Sequence, residues 1–166
     1  MINVKEYHTE YNESKNVSYV WADEPLSCPS CDSSNLIKKG WRSRKLITFI
    51  GSLLILLVQR VRCKGCGKIH HVLPDTIVPY KRYDAQTIEA IINGNPEEAL
   101  CELDEQEIYR IKTWWAKMKR YILNKTTAVI GKCHDQINSK IKLAAIVRIL
   151  ANADLWPGTR SVLVTE

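Results

Sequence analysis

The chain has 166 residues, of which 45% are apolar and 25% charged, with a formal net charge of +6. That size suits one ordinary domain or two small ones, and the composition excludes a disordered or low-complexity chain. The apolar run Leu53 to Val58 is far too short to cross a bilayer, and Met1 to Tyr19 lacks the apolar core of a secretory leader.

Charge is arranged in blocks. Residues 1–37 carry a net −4, residues 38–82 +10, residues 83–109 −8, residues 110–148 +9 and residues 149–166 −1. Two basic blocks around an acidic one are the footprint of a polyanion partner rather than of a uniformly solvated surface.

Residues 1–26 form an acidic N-terminal segment with a short strand expected around Val17 to Trp21 and little else. A zinc ribbon is expected over residues 27–75. Its strands read as Leu36 to Trp41, a basic turn at Arg42-Ser43-Arg44, Leu46 to Ile50, a reversal at Gly51-Ser52, and Leu53 to Arg62. Ile69 to Tyr83, ending in the linker 76–83, reads as an extended connector stiffened by Pro74 and Pro79. The helical period begins at Asp84, an N-cap for Ala85 to Ile92 with Ile88, Ile91 and Ile92 inward. A shorter helix is expected over Glu97 to Cys101, and Asp104 with Glu107 opens a third to about Leu123. These three make a helix-turn-helix unit over residues 84–124, and residues 125–166 hold further helices and a tail. Ile137, Ile141, Ala144, Ala145 and Ile149 form the apolar stripe of that last part. The expected fold class is α+β, a small zinc-ribbon sheet followed by a helical helix-turn-helix domain.

The ribbon assignment rests on Cys28-Pro29-Ser30-Cys31 and Cys63-Lys64-Gly65-Cys66. Each Cys-x-x-Cys knuckle bends the chain so that two sulfurs face one point, and four thiolates close a tetrahedral zinc site. Gly65 and Gly67 supply backbone freedom at the second knuckle. Six cysteines in a chain read as cytoplasmic favour metal over disulfides. Cys101 and Cys133 are read as small core residues. His70 and His71 are read as polar or phosphate-facing, because four cysteines already satisfy zinc.

On the third helix Ile108, Ile111, Trp115, Met118 and Ile122 share one face at helical spacing. The opposite face carries Gln106, Tyr109, Arg110, Thr113, Lys117 and Arg120, side chains that pair with base edges or phosphates. Trp114 and Trp115 are read as core. Arg42, Arg44, Arg60 and Arg62 of the ribbon and Lys81 and Arg82 of the linker add phosphate contacts.

The run Cys28 to Ile92 resembles the N-terminal region of bacterial insertion-sequence transposases, in which a zinc ribbon precedes a helix-turn-helix. It is similar to an uncharacterised bacterial family tied to mobile elements. The segments that carry the likeness are Cys28-Pro29-x-Cys31, Gly40-Trp41-Arg42-Ser43-Arg44, Arg60 to Cys66, His70-His71-x-Leu73-Pro74-Asp75, Val78 to Tyr83, and the ending Leu155 to Ser161. The resemblance implies recognition of element ends. The ribonuclease-H-like catalytic domain of such transposases has no counterpart here, and no nucleophile, base and orienting group stand out, so a non-enzymatic protein is expected. The sequence reads as a zinc-containing, sequence-specific binder of double-stranded DNA, nucleoid-associated when bound, with no small-molecule substrate. The alternative is a zinc-ribbon interaction module docking on a polymerase, nuclease or recombinase; RNA binding is a third reading, and a protein partner or a second copy stays open.

Overall fold

The computed structural model describes residues 1–131 and 142–157. Among them lie six strands: β1 (Ile2–Val4), β2 (Tyr7–Asn12), β3 (Val17–Ala22), β4 (Leu36–Ile47), β5 (Leu53–Cys63) and β6 (Ile69–Pro74). Three α-helices follow, α1 (Ala85–Asn93), α2 (Glu105–Ile130) and α3 (Leu143–Asn152). The fold is α+β, as the sequence implies.

β5, rich in aliphatic and β-branched residues, is the spine of the sheet. One edge pairs antiparallel with β4 along nearly its whole length. The other edge is shared: β3 runs parallel to it at Leu56 and Leu57, and β6 runs antiparallel to it from Arg60 to Arg62. β2 extends the sheet beyond β3, and β1 lies parallel to β6. Tyr7 and Thr9 of β2 line the same cavity of about 210 Å³ as Leu46 of β4 and Leu54 and Leu56 of β5. Strands from opposite edges meet around one cavity, so the sheet curls into a half-barrel with this face inside.

The sheet is therefore more than the expected ribbon. Arg42-Ser43-Arg44 is not a turn: β4 runs straight through it, and the irregularity falls earlier, between Lys38 and Trp41. Two residues of β4 there, Lys39 and Gly40, face one of β5, Arg60, a bulge with φ of 96° at Gly40. The reversal comes at Thr48 to Ser52, where Gly51 N donates to Thr48 O at 2.8 Å. Ile69 to Pro74 is an inner strand rather than a connector, because Val72, Leu73 and Pro74 are buried between β5 and β1. The N-terminal segment contributes three strands instead of one. Its polar β2 gains its place by pairing, which composition alone does not reveal.

α1 starts where Asp84 accepts from Thr87 N at 2.8 Å and stops at Gly94, with φ of 93°. The second Asp84 oxygen accepts from Phe49 N at 2.7 Å, so one side chain caps the helix and holds the tip of the β4–β5 hairpin. The expected helix over Glu97 to Cys101 is only a 3-10 turn, Pro96–Glu98. α2 is capped by Asp104 and runs past Leu123 to Ile130, ending at left-handed Gly131. The third helix of the helical core is α3, not an element within residues 84–124. Ile88 and Ile91 of α1, Ile111, Met118 and Ile122 of α2, and Val147 and Leu150 of α3 are buried together. Each such side chain stabilises the fold by about 1.5–3 kcal/mol. The inward face of α3 is Leu143, Ile146, Val147, Leu150 and Ala151. The expected stripe was out of phase there: Ala145 is exposed. Ile137, Ile141 and Cys133 lie outside the described residues; Cys101 is buried, as expected.

α3 also packs on β1. Asn152 accepts from Asn3 N at 2.8 Å and donates to Asn3 O at 2.9 Å, completing the edge strand with a side-chain amide. Among the described residues, no helix is long and apolar enough to cross a membrane.

Candidate metal centre and cationic faces

The two knuckles have the same backbone hydrogen bonds. Cys28 O accepts from Asp32 N at 2.8 Å and Cys63 O from Gly67 N at 3.0 Å, each four residues on. Cys28 N donates to Ser33 O at 3.0 Å and Cys63 N to Lys68 O at 2.9 Å, each five residues on. Asp32 and Gly67 are both left-handed, with φ of 55° and 77°. Of the two glycines singled out in the sequence, only Gly67 has that backbone state. A further bond, Lys64 N to Asn35 O at 2.9 Å, ties one knuckle to the other.

This geometry brings Cys28, Cys31, Cys63 and Cys66 together, with all four sulfurs within 4.8 Å of one another. Cys28 and Cys66 are 3.5 Å apart, and Cys31 and Cys63 3.6 Å. A tetrahedron with metal–sulfur bonds of ~2.3 Å has edges of ~3.8 Å, so the donor set fits a four-coordinate ion. The electrostatics of the thiols also suit a bound cation. Backbone amides, Cys66 N–H first, stabilise the Cys63 thiolate and bring its pKa down to about 6. At Cys31 the Ser33 backbone pulls downward, but the neighbouring sulfur of Cys63, desolvation, and the sulfurs of Cys28 and Cys66 together push it up to about 12. One thiolate forms readily and the next is resisted; a metal cation among the sulfurs reverses that penalty.

His70 sits behind the cluster, a role the sequence reading missed. It is buried, and its Nε2 lies 3.3 Å from Cys28 Sγ. Its Nδ1 lies 3.4 Å from the Met1 amine. With the proton on Nε2, the ring donates to the Cys28 sulfur and accepts from the amine. Metal-site ligands are commonly oriented by such outer hydrogen bonds. Burial, then the charge of the amine, holds the His70 pKa below its ordinary value and keeps the ring neutral. The only sequence signal was its spacing: four residues after Cys66, on a strand returning to the knuckles. On the solvent side Ser30 donates to Asp154 at 2.6 Å, and Lys68 reaches the same carboxylate at 3.4 Å. The Ser30 bond, with Lys68 and against some burial, holds Asp154 below the usual carboxylate range. The chain after α3 thus clasps the first knuckle.

The β4–β5 register decides where the ribbon arginines point. Arg42 lies opposite Val58 and Arg44 opposite Leu56, while Arg60 and Arg62 follow Val58 at two-residue steps. Side chains alternate along a strand and opposite residues share a face. All four arginines therefore lie on the concave face, and His71, opposite Arg60, joins them. The His71 pKa is lowered to about 4 by burial, then by Arg44, Arg60 and Arg42. The convex face carries instead an aromatic cluster, with Tyr19 and Trp21 each 4.9 Å from the Trp41 ring and nearly perpendicular to it.

On α2, Gln106, Tyr109, Arg110, Lys117 and Arg120 are exposed and Thr113 is half-buried. Arg110, Lys117 and Arg120 form no ion pair with another described residue. Arg82 is engaged with Glu107, and Lys81 Nζ lies 4.1 Å above the Trp114 ring. Lys81, Arg82 and Arg110 line one groove. The structure thus gathers the twelve sequence-selected polar residues into a sheet face, a helix face and a groove joining the linker to α2.

No curated protein and no solved structure matches the chain. The family described as a domain of unknown function, DUF6431, matches residues 28–111. That segment starts at the first of the four clustered cysteines, includes the other three, β4 to β6 and α1, and ends on the buried Ile111 of α2. It spans half of the chain, which therefore belongs to the DUF6431 family.

Proposed function

We propose that this protein is a zinc-stabilised, sequence-specific binder of double-stranded DNA, related to the DNA-binding part of a transposase. The observation that carries this is the gathering of Arg42, Arg44, Arg60 and Arg62 on one sheet face by the strand register. Arginines spread at random over two faces would serve solubility; collected on one, they suit a phosphate backbone. Cys28, Cys31, Cys63 and Cys66 hold the zinc, which supplies a fixed structural node. α2 is the presenting helix: Gln106 and Arg110 are suited to base edges, and Tyr109, Thr113, Lys117 and Arg120 to phosphates. Its first turn, with Glu105 and Glu107, is acidic, so contact is made from the side of the helix rather than its end. Lys81 and Arg82 bridge the two surfaces.

The test is salt-dependent binding of the zinc-loaded protein to random duplex DNA, followed by selection from that pool. Enrichment of one motif is expected. Arg110→Ala should cost about 1–3 kcal/mol for that motif, whereas Arg42→Ala should lower affinity for all sequences and reduce the salt slope by about one. Selection without enrichment and binding insensitive to salt would refute the reading. A second reading, docking on a protein partner, is favoured by exposed Ile50, Leu53 and Leu54 at the hairpin tip beside exposed Leu100.

A further inference from the structure

Val78-Pro79-Tyr80-Lys81 is a tight turn in which Lys81 N donates to Val78 O at 3.1 Å. Pro79 occupies its second position and Tyr80 its third, with φ of 66°. Proline followed by a left-handed residue is the type II pattern, and that third position ordinarily belongs to glycine or asparagine. A tyrosine there is costly in backbone energy, and strained non-glycine residues concentrate at binding sites. Burial does not compensate, since Tyr80 remains 38% exposed.

The residue instead forms a wall of a groove of about 400 Å³, shared with Lys81, Arg82, Tyr83, Glu107 and Arg110. That volume is within the range of ligand pockets, roughly 300–1,000 Å³. Its far wall is fixed, because Glu107 accepts from Tyr83 and pairs with Arg82. Glu107 is then a neutralised carboxylate. The groove holds three cations against one acid, and its aromatic wall suits a planar ring.

We infer that this groove takes one unpaired nucleotide of a DNA strand, its base on Tyr80 and its phosphate toward Lys81. Aromatic rings beside cations are how single-stranded nucleic acid is held without base-specific bonds. The inference rests on the DNA reading above and narrows it: the preferred substrate is a duplex with an unpaired end rather than a continuous helix.

The experiment compares the full zinc-loaded chain on a blunt duplex and on the same duplex with a short oligothymidine overhang, read by fluorescence anisotropy. The overhang should be preferred by about tenfold, the worth of one modest base–aromatic stack. Tyr80→Gly should abolish the preference while blunt-duplex binding stays and Tm does not fall; Tyr80→Phe should keep it. Tyr80→Asn, also suited to the left-handed backbone, is the companion variant if the glycine chain fails to fold. Equal affinity for both DNAs, or a preference that survives loss of the ring, overturns the inference and leaves the duplex reading standing. Binding to neither overturns both.

Discussion

If the four cysteines hold zinc as proposed, removing it should cost more than any single contact in the sheet. A structural zinc site is worth about 10–16 kcal/mol near neutral pH. At about 14 kcal/mol the dissociation constant is on the order of 0.1 nM. With roughly 1 µM free zinc, linkage then adds about 5 kcal/mol to stability, comparable to the whole stability of a modest domain, ~5–15 kcal/mol. For a chain of 166 residues, at roughly 2–4 °C per kcal/mol, chelation should lower Tm by roughly 10–20 °C. The structure locates the loss. Without the ion, the knuckle end of β4 and β5 is held by Lys64 N to Asn35 O and by the exposed Ser30, Lys68 and Asp154 group. Such bonds contribute about 1 kcal/mol each and do not replace the metal. Cys63→Ser, at a buried ligand position, should have the same effect as chelation. Native mass spectrometry reads metal content, calorimetry reads Tm, and circular dichroism should retain helical signal from the core around Ile88, Met118 and Leu150. A chelated protein with unchanged Tm, or a Cys63→Ser chain with its full metal complement, would refute the reasoning.

Two further outcomes follow from other parts of the fold. Asn152→Ala, a change at an exposed residue, removes both bonds to the backbone of Asn3, which is only 1% exposed. At about 1–3 kcal/mol for each of the two groups left unsatisfied, Tm should fall by roughly 4–24 °C; an unchanged melt would mean water reaches that edge. His71 disfavours its proton in the folded state, chiefly through burial and then through Arg44, Arg60, Arg42 and the amino terminus. The unfolded chain takes up that proton below the ordinary value near 6.5, so stability should fall as pH drops from there toward about 4. His71→Gln should flatten that part of the Tm–pH curve, and an identical curve would place His71 away from the arginines.

The sequence made the four-cysteine cluster legible because its chemistry is local: two knuckles of four residues each declare themselves by residue type. Capping was equally readable, and Asp84 and Asp104 cap the helices they were expected to open. Pairing was not. β6 reads as a proline-stiffened connector until one knows that β1, some seventy residues away, lies against it: Ile2 faces Val72 and Val4 faces Pro74. His70 was misjudged for the same reason, since its two partners, Cys28 and the Met1 amine, come from other parts of the chain. The phase of α3 was lost because its buried face answers to both α2 and β1. A single period cannot show which of two neighbours sets the inward direction.

The metal and the arginines belong to one argument through β5. Arg62 is followed directly by Cys63, and β4 begins five residues after Cys31, so the cluster fixes where both strands start from the knuckle end. The reversal at Thr48 to Ser52 fixes them from the other end. Between these anchors the register admits one extra residue, which the bulge at Gly40 absorbs. A slip by one residue would turn a strand's side chains to the opposite face. β4 would then present Ser43 and Lys45 where Arg42 and Arg44 now stand, separating them from Arg60 and Arg62. On the proposed zinc and DNA readings, the metal therefore acts beyond stability: it selects the register that places four guanidinium groups on one surface. Chelation should accordingly abolish salt-dependent DNA binding even at temperatures where the helical core stays folded.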